Sequence, residues 1–404
     1  MIYLDHAAAT PVSEKVLKAM EPYFCTDFFN PSAAYLPAKK VAHDYEEAKG
    51  VIAHAIGAKA NDLVMTAGAT EANNLAFSIL GEVLDSACPS DTLRAALAKS
   101  LWSAEHIESK TSPCLYLITE HDSVRRVAKR YGGEPIGVDK NGRILLDDLK
   151  NKITDDTRLI SVALANNELG TIQPLSEIAA IIRAVRLKRL ERGIKTPLYL
   201  HSDASQALNL LSVNVARLGV DLLTMNAAKV YGPKGVGALY LAHGVNLQPL
   251  TLGGGQEQGL RSGTENVPGV IGFAEAIKNA ALHLNGNRKK YAEWRKLLLA
   301  NLQGYELVNK KHTLDNFIVL CYNGIDAERL IFLLEDRGVY VSTGAACAAS
   351  KGQKSHVLEA IGLTESEING SLRLTLGETN TKEQIIEAAK LINEAVLIER
   401  NRNE

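Results

Sequence analysis

The chain has 404 residues, of which 46% are hydrophobic and 23% charged, and 45 Lys and Arg against 46 Asp and Glu give a formal net charge of −1. That balance excludes global electrostatic capture of nucleic acid or of an acidic membrane surface. No apolar run is long enough for a membrane helix, and the length suits one large and one smaller domain, each with its own core.

Met1-Ile2-Tyr3-Leu4-Asp5-His6 has no basic stretch followed by an apolar block, which argues against a secretory leader. Helical patterns are predicted over Ala42 to Ile56, after Glu71, and over Ser176 to Arg192. Between and after them, Leu63–Thr66, Cys114–Ile118, Leu159–Leu164, Leu198–Leu200, Leu222–Met225 and Val236–Leu241 are short, nearly continuous apolar runs. Such runs mark strands covered on both faces, and the strand–helix alternation predicts an α/β domain with a mostly parallel sheet. Leu93, Leu97 and Leu101 in residues 81–113 predict an amphipathic helix, either covering core or docking a partner. Arg183, Arg186, Lys188, Arg189, Arg192 and Lys195 read as a basic face, either solvated or meeting an acidic partner. Beyond about residue 265 the pattern becomes α+β, with helices at Val270–Leu284 and Tyr291–Leu302 and a strand at Phe317–Leu320. A final helix starts near Lys382, with Thr381 and Gln384 at capping-box spacing and an apolar stripe of Ile385, Ala389, Ile392 and Val396.

In parallel sheets chemistry gathers at the carboxyl ends of strands. The first such end runs into Ala67-Gly68-Ala69-Thr70-Glu71, a small turn at a helix start that suits a phosphate or is an ordinary strand–helix turn. The next leads to Asp203, either a helix cap or an acid paired with a ring nitrogen, with Gln206 one turn on. The third leads through Asn226-Ala227-Ala228 to Lys229, either a snorkelling surface lysine or a desolvated amine suited to a Schiff base. A phosphate cradle, an acid for a ring nitrogen and a Schiff-base lysine are together what pyridoxal phosphate requires.

Collinear segments then extend the pattern. They are Tyr3–Pro11, Asn30-Pro31-Ser32, Gly68–Asn74, Thr119-Glu120-His121, Asn166–Gly170, His201–Gln206, Lys229–Gly237, Gly253–Glu257, Arg261–Asn266, Ser342–Cys347 and Leu372–Gly377. On these the chain resembles the cysteine desulfurases, the NifS/IscS-like group of the class V aminotransferases. The resemblance implies an aspartate-aminotransferase-like α/β fold (pyridoxal-phosphate fold type I). Its large cofactor-binding domain would span residues 15–265, with residues 1–14 and 266–404 forming a small domain that carries the catalytic cysteine loop.

It also implies roles. Lys229 holds pyridoxal 5'-phosphate and moves protons, Asp203 pairs with the ring nitrogen, and His121 stacks on the ring and assists proton transfer. Asn167 and Gln206 donate to the ring hydroxyl. Ala69 and Thr70 bind phosphate, and Thr264 reaches the phosphate of a neighbouring subunit in a homodimer. Arg373, with Asn30, clamps the substrate carboxylate, for which a guanidinium fork is suited.

The cysteines are Cys25, Cys88, Cys114, Cys321 and Cys347, an odd set with no CxxC, so no disulfide framework or zinc ribbon is expected and the compartment reads as cytoplasmic. Cys347 sits among small residues before Lys351-Gly352-Gln353-Lys354, a setting that suits an accessible nucleophile. By the resemblance its thiolate takes sulfur from L-cysteine, leaving alanine and a persulfide, and it is also open as a transient iron–sulfur ligand; no other metal site is expected. The acceptor would be a protein of iron–sulfur assembly or tRNA thiolation, without direct nucleic-acid or membrane contact. The chain departs from the family in two places. Ala228 stands where a His usually precedes the lysine, with Asn226 where Ser or Thr is usual, leaving an amide to reach the phosphate; residues 81–113 run roughly twenty longer than usual. Alternatives are a selenocysteine lyase or another class V enzyme, and a non-catalytic scaffold that retains the fold.

Overall fold

The computed structural model describes residues 1–81, 112–343 and 354–403. The Leu93, Leu97 and Leu101 pattern, Cys88 and Cys347 lie outside the described residues.

A seven-stranded sheet dominates. In chain order its strands are β2 (Leu63–Thr66), β3 (Cys114–Leu117), β4 (Glu134–Ile136), β5 (Leu159–Ser161), β6 (Tyr199–Asp203), β7 (Leu222–Asn226) and β8 (Gly237–Leu241). Their spatial order is β2-β8-β7-β6-β5-β3-β4. All pairs are parallel except the two made by β8. Because β8 is antiparallel to both neighbours, β2 still points the same way as the rest, and six strands end at one edge.

Alternate residues enter two different cores. Met65, Leu115, Leu117, Ile160, Leu200, Leu223 and Met225 pack into the larger one, whereas Val64, Cys114, Tyr116, Leu159, Leu222 and Leu239 join the other. Both faces are therefore covered, which is why these strands read as unbroken apolar runs. The Ala69–Phe77 and Asp122–Arg130 helices cover the smaller core, and the Leu36–Ala55, Leu175–Glu191 and Val267–Asn301 helices the larger.

A second, antiparallel sheet has the order β12-β13-β10-β9, from Ser342–Thr343, Ser371–Thr375, Phe317–Cys321 and Glu306–Leu307. The first strand, β1 (Ile2–Tyr3), pairs in parallel with β11 (Val339–Tyr340), so the chain's start belongs spatially beside its last third. The Lys382–Asn403 helix has the expected reciprocal cap: Thr381 N–H donates to Gln384 Oε1 at 3.2 Å and Gln384 N–H to Thr381 Oγ1 at 3.3 Å. Its stripe of Ile385, Ala389, Ile392 and Val396 is buried.

Three expectations need correction. The helices predicted at Val270–Leu284 and Tyr291–Leu302 are one 35-residue helix, Val267–Asn301. The polar Asn285-Gly286-Asn287 break in the pattern is bridged because Asn287 is buried and donates to Glu378 at 3.3 Å, tertiary contact overriding propensity. Strand β4 was not anticipated; Pro135 is tolerated there because β4 is an edge strand. Arg189 is not part of a solvated face: it is 3% exposed, and its guanidinium donates to the carbonyls of Thr154, Thr157 and Thr196. Arg186 is paired with Asp221. No described helix is long and apolar enough to cross a membrane.

Candidate active site

The shared edge of the sheet collects the chemistry-bearing turns. Beyond β2 the chain turns through Gly68, whose φ of 140° suits glycine, and nothing lies within 4 Å of where a side chain would begin. The helix then starts at Ala69, so the N–H groups of Ala69, Thr70 and Glu71 have no partner within it. Thr70 is exposed and Ala69 half-buried. Gly237 on β8 lets the sheet approach this turn, since a Cβ there would meet the Gly68 backbone at 2.7 Å. The result is an open cradle at a positive helix end, a shape and charge that fit a phosphate.

Asp203 ends β6 and is half-buried. Its Oδ1 accepts Ser205 N–H at 2.9 Å and its Oδ2 accepts Asn73 Nδ2 at 2.9 Å. Asn73 also donates to Ser123 Oγ at 2.8 Å, and Ser123 lies 2.9 Å from His121 Nδ1. A fixed chain thus runs from Asp203 to His121. Ser123 N–H donates to His121 Nδ1 at 3.1 Å, so the neutral imidazole carries its proton on Nε2, facing away from the cap. His121 is exposed at the N-cap of its helix. Asn73 was missed as a site residue. Its signal was a polar side chain on the apolar face formed by Ala72, Leu75 and Ala76, all buried.

Lys229 follows β7, the strand beside β6, at the end of a single 3-10 turn over Ala227–Lys229. Asn226 caps that turn, its Oδ1 accepting Ala228 N–H at 3.1 Å, which leaves its NH₂ as a donor. Lys229 Nζ donates to the carbonyls of Ala7 at 2.8 Å and Ala8 at 2.6 Å. Gln206 Nε2 donates to the same Ala7 carbonyl at 3.0 Å, bringing the β6 and β7 turns together under the N-terminal segment. Thr10 Oγ1 secures that segment through the Ala228 carbonyl at 3.0 Å.

Arg373, on β13, is 4% exposed. Its Nη2 donates to Asp5 at 2.6 Å and its Nη1 to the Asn167 carbonyl at 2.9 Å. The side chain of Asn167 is half-buried. Next to it, desolvation pushes Glu168 up to about 7, against the pull of the Ser355 hydroxyl and of Arg373. Burial also holds Glu120, the residue before His121, well above the usual carboxylate range. His201, sealed between Ser161 and Thr224, is lowered to about 4 by burial and stays neutral. Asn30 and Thr264 are exposed; Asn30 Oδ1 accepts Ser32 N–H at 2.9 Å, and Thr264 follows the glycine-rich 253–263 loop. Cys347 lies outside the described residues, between Thr343, paired with Leu372 beside Arg373, and Ser355, bonded to Glu168.

These residues fit pyridoxal phosphate: an open phosphate cradle, a doubly anchored carboxylate for a ring nitrogen, and an amine in the turn that follows the next strand. The Ser205 hydroxyl beside Asp203 is buried with no partner among the described residues, a polar atom that a ligand would satisfy. Among the described residues no group of His, Cys, Asp and Glu is arranged to hold a metal ion.

The class-V aminotransferase family matches residues 2–89 and 95–387. The chain is 38% identical to Cysteine desulfurase IscS 1 of Archaeoglobus fulgidus, over 95% of this chain and 94% of that one. It is 35% identical to the Putative cysteine desulfurase IscS 1 of Bacillus subtilis, over 98% of each. Among solved structures, a NifS-like protein superposes with a TM-score of 0.84 at 28% identity, covering 98% of this chain and 99% of that one. SspA in complex with cysteine superposes with a TM-score of 0.73 at 29% identity, covering 93% and 99%.

Proposed function

The chain belongs to the class-V aminotransferases and, within them, to the cysteine desulfurases, and from that premise we propose that it converts L-cysteine to L-alanine and takes the sulfur onto Cys347 as a persulfide. The observation that carries this reading is the convergence of the phosphate cradle, Asp203 and Lys229 at one edge of the sheet.

When bound, pyridoxal phosphate draws electrons from the bonds around the substrate's α-carbon and so makes the carbon–sulfur bond breakable. The protein's part is binding, orientation and proton transfer. The first-turn N–H groups of the Ala69–Phe77 helix and the Thr70 hydroxyl bind the phosphate, with the Asn226 amide and a partner subunit's Thr264 completing its shell. Asp203, held by Asn73 and Ser205, keeps a proton on the ring nitrogen. Gln206 and Asn167 orient the ring hydroxyl, and His121 packs on the ring face. Lys229 releases the Ala7 and Ala8 carbonyls and moves the proton at the α-carbon. Arg373 meets the substrate carboxylate, exchanging the Asp5 carboxylate for another, with Asn30 at the exposed side. The Cys347 thiolate attacks the substrate sulfur: the new S–S bond forms as the Cβ–S bond breaks, the carbon takes a proton, and cysteine plus thiol becomes alanine plus persulfide. The acceptor of that sulfur is a protein of iron–sulfur assembly or tRNA thiolation, and the working unit is a cytoplasmic homodimer. Residues 15–265 form the cofactor domain, and residues 1–14 and 266–404 the small one.

The test is to incubate the holoprotein with cysteine and examine the Cys347 peptide by mass spectrometry for one added sulfur. Cys347→Ser is expected to abolish alanine release while keeping the visible cofactor band. Full alanine release by that variant would assign the chain to a thiol-independent class V activity.

A further inference from the structure

Glu71 sits where a phosphate would least tolerate it. It lies in the first turn of the Ala69–Phe77 helix, and its Oε2 accepts Ala67 N–H at 2.6 Å, folding its charge back over the cradle. An unpaired carboxylate there competes for the positive helix end and repels an incoming phosphate dianion. Its other oxygen, Oε1, accepts Arg261 Nε at 2.9 Å, and the two side chains are only 29% and 25% exposed.

Arg261 comes from 190 residues away along the chain, on a loop built to hold it there. Glu257, on the same loop, accepts Tyr45 OH at 2.6 Å, Lys49 Nζ at 3.1 Å and Met65 N–H at 2.7 Å. The Met65 contact covers the outer edge of β2, the strand that leads into the cradle. Gln258 Nε2 donates to the carbonyls of Asn61 at 2.9 Å and Leu63 at 3.3 Å. Both residues hold positive φ, 48° and 61°, a conformation that non-glycine residues keep only when their surroundings impose it.

We propose that Arg261 is a positioning and charge-neutralising residue of the phosphate cradle: it fixes Glu71 as the acceptor for Ala67 and cancels the charge that would oppose the cofactor's phosphate. This rests on the reading of the Gly68 turn as the phosphate site. It assigns to the 251–264 loop a task on its own subunit's cradle.

The test titrates the apoprotein, its Glu71→Gln and Arg261→Met variants and the double variant. Each is titrated with pyridoxal phosphate and, separately, with pyridoxal, following the visible band. Arg261→Met is expected to weaken pyridoxal phosphate about tenfold and pyridoxal less than about twofold, since pyridoxal lacks the charge that Glu71 opposes. The double variant recovers to within about threefold of the parent, because Gln at position 71 keeps the acceptor and removes the charge. Equal losses for the two ligands, or a double variant no tighter than Arg261→Met, would overturn the proposal. Should Arg261→Met not fold, Glu71→Gln alone decides: binding at least as tight as the parent supports the charge argument, and weaker binding refutes it. The titration reads binding and not turnover. A protein that binds the cofactor in this pattern yet yields no alanine would sink the desulfurase reading and leave this one standing.

Discussion

Glu168 is a carboxyl group that folding drives toward its neutral form, because desolvation outweighs the Ser355 hydroxyl and the Arg373 guanidinium. An unfolded glutamate titrates near 4.5 and this one at about 7. Between those values the native state binds the proton more tightly, so this group's contribution favours folding below the window. It is lost as pH rises through the window and is flat above it. Glu168→Gln, neutral throughout, is expected to remove that slope. Thermal midpoints of parent and variant from about pH 5 to about pH 8 would check it, and parallel curves would place the titration elsewhere. Asp203, Lys229 and Gly68 stood out in the sequence because each follows a recognisable buried strand. Asn73 and Glu168 did not, because their importance lies in the partner each meets: Asp203 and Ser123 for one, Ser355 for the other.

Among the elements, the Val267–Asn301 helix shows how local pattern and tertiary packing part company. Gly286 lies at its exposed side with nothing within 4 Å of a would-be Cβ and no positive φ. Glycine inside a helix costs about 0.5–1 kcal/mol relative to alanine, mostly through the freedom of the unfolded chain. Gly286→Ala should therefore raise stability by about that amount without changing alanine release, as read by urea denaturation; a neutral or destabilising result would show that the helix bends there. The sequence pattern predicts two helices here, Val270–Leu284 and Tyr291–Leu302. Contacts with the rest of the core, and the buried Asn287, join them. The strands were easier, since residues buried on both faces leave runs of apolar side chains.

At the scale of the whole molecule, the N-terminal segment ties the two sheets together. Leu4 is fully buried, β1 pairs with β11, Ala7 N–H donates to Thr375 Oγ1 at 2.9 Å, and the Ala7 and Ala8 carbonyls accept from Lys229. Asp5 meets Arg373 from the same segment. Deleting residues 1–9 is expected to abolish alanine release and to lower the thermal midpoint by several degrees. An active truncated protein would show that the segment only covers the site.

The α/β class and most strands of the large sheet, with the turns that follow β2, β6 and β7, could be read from the chain by itself, because period, turn chemistry and strand ends are local properties. Partnerships across long stretches of chain were decided only in three dimensions. Arg261 against Glu71, Arg189 inside the fold and the first strand beside β11 depend on which distant surfaces meet, and loop closure over such distances leaves no periodic trace in the sequence.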